Sequence, residues 1–209
     1  MILTGKEIVR QISLGNIKIS GFDERLVNPA SVDLTLKDRV AVFRDFVHDP
    51  DDASKSYPYD GIGLRRAGVR VHDAKKPLAI DTYTIPREGW VLNPGVGYLM
   101  HTRERIQTNS FVPIIDGKSS IGRLFISVHE TAAYGDPGFE GQFTLEVSVK
   151  FPIRVYTNMR ICQIRFQRVE GEITSYQEKG HYRGRDAEGP VPSRIHETGF
   201  DMVEEEEDP

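Results

Sequence analysis

The 209-residue sequence predicts a mainly β fold, a barrel or a sandwich, with a short N-terminal helix and few other helices. Three observations carry this. Short segments rich in β-branched and aromatic residues recur, with Gly, Pro, Asn and Asp between them. From Phe143 to Phe151, apolar and polar residues alternate with a period of two. Helical spacing is clear at the very start of the chain, before the first β-rich segment.

Taken in order, the N-terminal helix opens on Thr4 and Glu7, an S/T-x-x-E capping box. Ile8, Val9 and Ile12 then recur at helical spacing, and Gly15 stands where a helix-terminating C′ residue belongs. Ser31 to Leu36, Val40 to Phe43 and Tyr98 to Thr102 read as strands. In the Phe143–Phe151 strand, Phe143, Leu145, Val147, Val149 and Phe151 form one face; Thr144, Glu146, Ser148 and Lys150 form the other. Ile161 to Phe166 is a further strand. Residues 44–76 are polar and turn-rich, as in His48-Asp49-Pro50 and Tyr57-Pro58-Tyr59-Asp60-Gly61, and read as a long insertion. Residues 1–200 are expected to form one domain, and 201–209 an acidic, disordered tail.

Composition excludes several classes. The net charge of −4 comes from the tail: without the five acids of Glu204 to Asp208, 27 basic residues face 26 acidic ones. No basic surface for nucleic acid is indicated. No apolar run is long enough to span a membrane, and the first residues lack the apolar core of a secretory signal. The single cysteine, Cys162, allows neither an internal disulfide nor a cysteine-rich zinc site, and a cytoplasmic location is expected.

The residues also exclude common chemistries. Gly117-Lys118-Ser119 ends like a P-loop, but Val112 occupies the place of the required first glycine. There is no nucleophile elbow, no H-E-x-x-H, and no cysteine pair for a zinc deaminase. What remains is a dense stretch from Asp116 to Glu146. Ser119 and Ser120, with Lys118 and Arg123 beside them, suit an anion as well as they suit a capped turn. Asp136-Pro137-Gly138 is a turn by composition. Glu146 is either an ordinary solvent-facing strand residue or, if its polar face lines a cleft, a general base.

Lys118-Ser119-Ser120-Ile121-Gly122-Arg123-Leu124 resembles the R-S-S-[LI]-[AG]-R-L motif of the dCTP deaminases, members of the trimeric dUTPase superfamily. The likeness continues through Val128-His129-Glu130-Thr131-Ala132 and Asp136-Pro137-Gly138-Phe139-Glu140-Gly141 to Thr144-Leu145-Glu146. Asn28-Pro29-Ala30-Ser31-Val32-Asp33-Leu34 is similar to the family's N-P-x-S-x-D-L, and Gly189-Pro190-Val191-Pro192-Ser193-Arg194 to its G-P-x-P-S-R. The resemblance implies a distorted β-barrel and a homotrimer whose active sites are shared between neighbouring subunits. It implies zinc-independent deamination of dCTP to dUTP and ammonia, with Mg²⁺ carried on the triphosphate and dTTP as a candidate feedback inhibitor. By position, Glu146 is the general base, and the Ala132 carbonyl and Ser119 hydroxyl fix the attacking water. Ser120 and Arg123 hold the phosphates, with Arg123 also near the developing charge, and Lys118 is a further substrate-binding residue. Asp136 reaches the sugar 3′-hydroxyl, and Tyr176 packs near the sugar.

The chain departs from the family in places. His181-Tyr182 stands where a Lys-Tyr pair is usual, and Arg183 to Glu188 replaces a segment that normally carries a Gln. His181 would then meet phosphate only when protonated, and Arg185 is a second candidate for the missing charge. Glu130 stands where many relatives have a small or apolar residue. Ala133-Tyr134 resembles members that also hydrolyse dUTP, whereas members with deaminase activity alone tend to carry His-Arg. The main reading is a deaminase that releases dUTP; the alternatives are a bifunctional enzyme forming dUMP and diphosphate, and an inactive nucleotide-binding relative.

Overall fold

The computed structural model describes residues 1–43, 74–182 and 189–199. The expected 44–76 insertion, apart from its last residues, and the 201–209 tail lie outside the described residues, as does Arg185. Helix α1 (Gly5–Ser13) starts at Thr4, whose hydroxyl accepts the Glu7 backbone N–H at 3.3 Å. The Glu7 carboxylate turns instead to Gln11, Arg10 and Arg168, at 2.7, 3.0 and 3.2 Å. Gly15, at φ +76°, follows the helix as its composition predicted.

The strands follow as β1 (Ile17–Ile19), β2 (Val32–Phe43), β3 (Ile80–Thr84), β4 (Trp90–Leu92), β5 (Tyr98–Thr102) and β6 (Ile106–Thr108). Then come β7 (Phe111–Gly117), the one-turn helix α2 (Ser119–Gly122), β8 (Ile126–Ser127), β9 (Glu140–Gly141), β10 (Thr144–Val149), β11 (Ile153–Val155) and β12 (Arg160–Arg168). Two short helices, α3 (Tyr176–Lys179) and α4 (Ile195–Thr198), close the described chain. Among the described residues no helix is long and apolar enough to cross a membrane.

The main sheet runs β7-β12-β2-β5-β10-β8 and forms a distorted barrel, with β3 added at β2. The two segments expected as separate strands, Ser31–Leu36 and Val40–Phe43, merge into β2. Its register against β5 shifts between Leu36 and Val40, so Lys37-Asp38-Arg39 is an irregularity within a strand rather than a break. Leu34, Leu36, Val40, Met100, Leu145, Val147, Ile164 and Phe166 are among the buried side chains of one apolar cluster. The alternation is as expected from Phe143 to Val149, with Phe143 partly buried against the core, and fails at Phe151. Leu145, Val147 and Val149 are buried, while Phe151 is exposed, edge-on to Phe125, and Phe143 stacks on Phe139 with 4.5 Å between ring centroids.

Register fixes what the other face of the sheet carries. Glu146 pairs with Leu99, and Thr144 with His101. Because successive side chains point to opposite faces, Glu146, Thr144, Leu99 and His101 share the outer face. The C-terminal segment crosses that face. The Val191 N–H donates to the Thr144 hydroxyl at 3.1 Å, and Gly189 lies against Thr82 on β3. This cover is why every residue of β5 is buried.

Candidate active site

Between the outer face of the sheet and the C-terminal segment lies a cavity of about 780 Å³. Glu146 and Thr144 line its floor, Ala132 and Asp136 its wall, and Tyr176 and Tyr182 come from the C-terminal side. Five of the residues singled out in the sequence are therefore brought together: Glu146, Ala132, Asp136, Tyr176 and Tyr182.

Glu146 is half-buried, and loss of water around it pushes its carboxyl above the usual range. Backbone donors work against that shift, first the Glu130 N–H at 3.4 Å from Oε2 and then Glu146's own N–H. Glu130 is held in turn by the Ser148 hydroxyl, which donates to its Oε1 at 2.7 Å. The Ala132 wall is fixed by the strand that leads into α2: the Ile115 N–H bonds the Ala133 carbonyl, and the Gly135 N–H the Pro113 carbonyl, both at 2.8 Å.

The Asp136–Phe139 turn is the hinge between wall and roof. The Phe139 N–H returns to the Asp136 carbonyl at 3.1 Å, and Gly138 has φ +88°. Pro137 followed by a left-handed glycine is a type II arrangement, which needs a residue without a Cβ in the third place. The turn then docks α3. The Tyr176 N–H donates to the Pro137 carbonyl at 2.7 Å, and Gln177 Nε2 to the Gly138 carbonyl at 2.9 Å. Tyr176 thereby sits edge-on to Phe139, and its hydroxyl accepts the Tyr182 N–H at 3.0 Å. Burial pushes the Tyr176 phenol up. His181 and Tyr182 are exposed; the His181 carbonyl accepts from Arg194, and the Tyr182 hydroxyl accepts the Arg194 N–H at 3.4 Å.

Lys118, Ser119, Ser120 and Arg123 are not among the residues lining this cavity in the described chain. Ser119 and Ser120 lie on α2, with Lys118 and Arg123 capping its two ends; the helix is anchored by the buried Ile121, and both serines and Arg123 are exposed. Lys118 is engaged by Asp33, a buried carboxylate that also accepts from Asn28 at 2.7 Å and meets Arg160 at 3.5 Å. Leu124, Phe125 and Phe151 form an exposed apolar patch beside α2.

Among the cavity residues that sequence reasoning missed are Lys37, His101, Arg105 and Gln142. Burial and then the Lys37 ammonium push the His101 imidazole down to about 4, and its Nε2 has no hydrogen-bond partner among the described residues. Only the long-range pairing of β5 with β10 puts His101 near Glu146, which residue spacing cannot reveal. The helix bearing Tyr176 did carry a local signal. Ser175 and Glu178 form a full capping box, the same S-x-x-E pattern read at Thr4.

A carboxylate partly withdrawn from water on the floor of a lidded cavity marks a general acid–base enzyme built on a β-barrel. The comparisons name the family. The model of the dCTP deaminase-like family matches residues 2–169, and the chain belongs to that family. It is 41% identical over 196 residues to a dUMP-forming dCTP deaminase of Leptospira biflexa, covering 94% of this chain and 97% of the relative. It is 36% identical over 190 residues to a protein of the same description from Clostridium botulinum, covering 91% and 95%. Among solved structures, the 2′-deoxycytidine 5′-triphosphate deaminase of Agrobacterium tumefaciens matches with a TM-score of 0.56 at 25% identity. That match covers 80% of this chain, which spans about half (48%) of the Agrobacterium chain.

Proposed function

We propose that this chain deaminates dCTP and carries the product on to dUMP and diphosphate. The observation that carries the reading is the half-buried Glu146 on the floor of a cavity walled by Ala132 and Asp136, in a chain whose similar relatives are described as dUMP-forming. Those relatives favour the bifunctional alternative over release of dUTP, in line with the small-then-aromatic pair Ala133-Tyr134.

In the deamination step a water lies between the Glu146 carboxylate and the Ala132 carbonyl. Glu146 accepts one proton as the water oxygen bonds to C4 of the cytosine. The same carboxyl delivers that proton to the ring N3, and a second transfer, from the new hydroxyl to the exocyclic amine, lets the C4–N bond break. Ammonia leaves and a C4 carbonyl remains. A carboxyl that both takes and returns protons works best with a proton affinity above that of a solvated Glu, the direction burial gives Glu146. Asp136, on the cavity wall, is assigned the sugar contact and activation of the water that cleaves the phosphate chain. Mg²⁺ belongs to the substrate, chelated by its phosphate oxygens, and no zinc is required.

Ser119, Ser120 and Arg123 point to a shared site. Since they line no part of their own chain's Glu146 cavity, we assign the water contact of Ser119 and the phosphate contacts of Ser120 and Arg123 to a cavity of a neighbouring copy in a homotrimer. The exposed Leu124–Phe125–Phe151 patch beside them gives that neighbour an apolar seat.

Glu146→Gln tests the assignment. The amide is nearly isosteric but accepts no proton, so ammonia release should fall by at least ~10²-fold while the fold and nucleotide binding persist. Turnover close to wild type in this variant would remove Glu146 from the mechanism.

A further inference from the structure

We propose that Glu130 is a positioning residue of the catalytic centre, a second carboxylate fixed beside Glu146 that acts through it by opposing loss of its proton. This rests on the reading of Glu146 as the base. Two contacts fix the geometry. The Glu130 backbone N–H lies 3.4 Å from Glu146 Oε2, and the Glu130 carboxylate is tethered at 2.7 Å by the hydroxyl of Ser148. Ser148 is two residues beyond Glu146 on β10 and on the same face, so one strand holds both carboxylates on one side of the sheet. Glu130 and Glu146 both line the cavity.

The two halves of Glu130 pull in opposite directions. Its N–H favours the Glu146 anion, whereas its carboxylate charge disfavours it, beyond the larger effect of burial. The backbone bond orients Glu146, and the side chain keeps it a better proton acceptor. Other charged or titratable groups around the site are His129, which favours the anion when protonated, the charged Asp136, Glu140, Lys37 and Arg105, His101, and the phenols of Tyr98, Tyr134, Tyr176 and Tyr182. On the sheet itself, the neighbours Thr144, Ser148 and Leu99 carry no charge.

The test is Glu130→Gln, which removes the charge and keeps the backbone and the length of the side chain. Two readouts apply: the pH profile of kcat for dCTP, and a ¹³C titration of the Glu146 carboxyl in the free protein, assigned by the resonance missing from Glu146→Gln. Both midpoints should fall by roughly 0.5–1 pH unit in Glu130→Gln, as expected for removing one nearby like charge. Glu130→Asp should recover part of the difference, and Ser148→Ala, which frees the carboxylate, should lower the midpoint by a smaller amount. A Glu146 carboxyl midpoint that coincides in wild type and Glu130→Gln overturns the proposal. The two readings fail separately. A midpoint that moves in a protein unable to deaminate dCTP leaves the coupling standing and removes the proposed function.

Discussion

At the residue scale, His101 ties the stability of the fold to pH. Its ring is 1% exposed and takes a proton only near pH 4, against 6.5 for an ordinary histidine. Between those values the unfolded chain binds the extra proton and the native chain does not. The native state therefore keeps its full advantage from this group above about pH 6.5 and loses it as pH falls towards 4. By pH 4.5 the loss amounts to about 2–3 kcal/mol. His101→Leu removes the titration, so urea unfolding at pH 7.5 and 4.5 should show a smaller acid destabilisation than in wild type by about that amount. An identical pH dependence in the two proteins would mean that the ring is protonated as readily in the fold as out of it. The same residue marks a limit of the sequence: Glu146 could be placed on the polar face of its strand by alternation alone, but His101 acquires meaning only from the pairing of Thr144 with it.

At the element scale, the Asp136–Phe139 turn determines whether the roof meets the wall. Gly138 sits at φ +88°, and a Cβ there would run into the Ser175 side chain and approach the Tyr176 nitrogen to 2.8 Å. Gly138→Ala should cost about 1–2 kcal/mol from the left-handed backbone alone. It should also push α3 away, loosening Tyr176 from the cavity. The expected outcome is a lower Tm with a KM for dCTP that rises more than kcat falls; an unchanged KM would take α3 out of nucleotide binding. Local patterns made much of this level legible. The helix start at Thr4, the Gly15 stop, the turn at Asp136-Pro137-Gly138 and the middle of β10 follow from capping, left-handed glycine, proline and period two. The exposure of Phe151 does not. Whether Phe151 is covered depends on what stands opposite it, and among the described residues Phe125 stands edge-on to it. Nor does the continuity of β2, since Lys37-Asp38-Arg39 reads as a turn until β3 and β5 hydrogen-bond across it.

At the scale of the whole molecule, the order of motifs along the chain told more than any one of them. Each is ambiguous alone, as the P-loop-like Gly117-Lys118-Ser119 shows, but their succession identifies the family that residues 2–169 match. Succession does not reveal distance. Lys118, read as a substrate-binding residue, is engaged by Asp33 in the single chain, and the α2 residues stand apart from the cavity of their own chain. The separation of α2 from Glu146 is what the proposed sharing between copies answers. The central claim is that one site takes dCTP to dUMP, and a trapping time course tests it most directly. Labelled dCTP and Mg²⁺ are mixed with the protein in a large excess of unlabelled dUTP, and labelled dUTP and dUMP are resolved as ammonia and diphosphate are measured. The account predicts label in dUMP, with ammonia and labelled dUMP in equal amounts and little label in the dUTP pool. Label collecting in dUTP, with ammonia but no diphosphate from the labelled substrate, would contradict it.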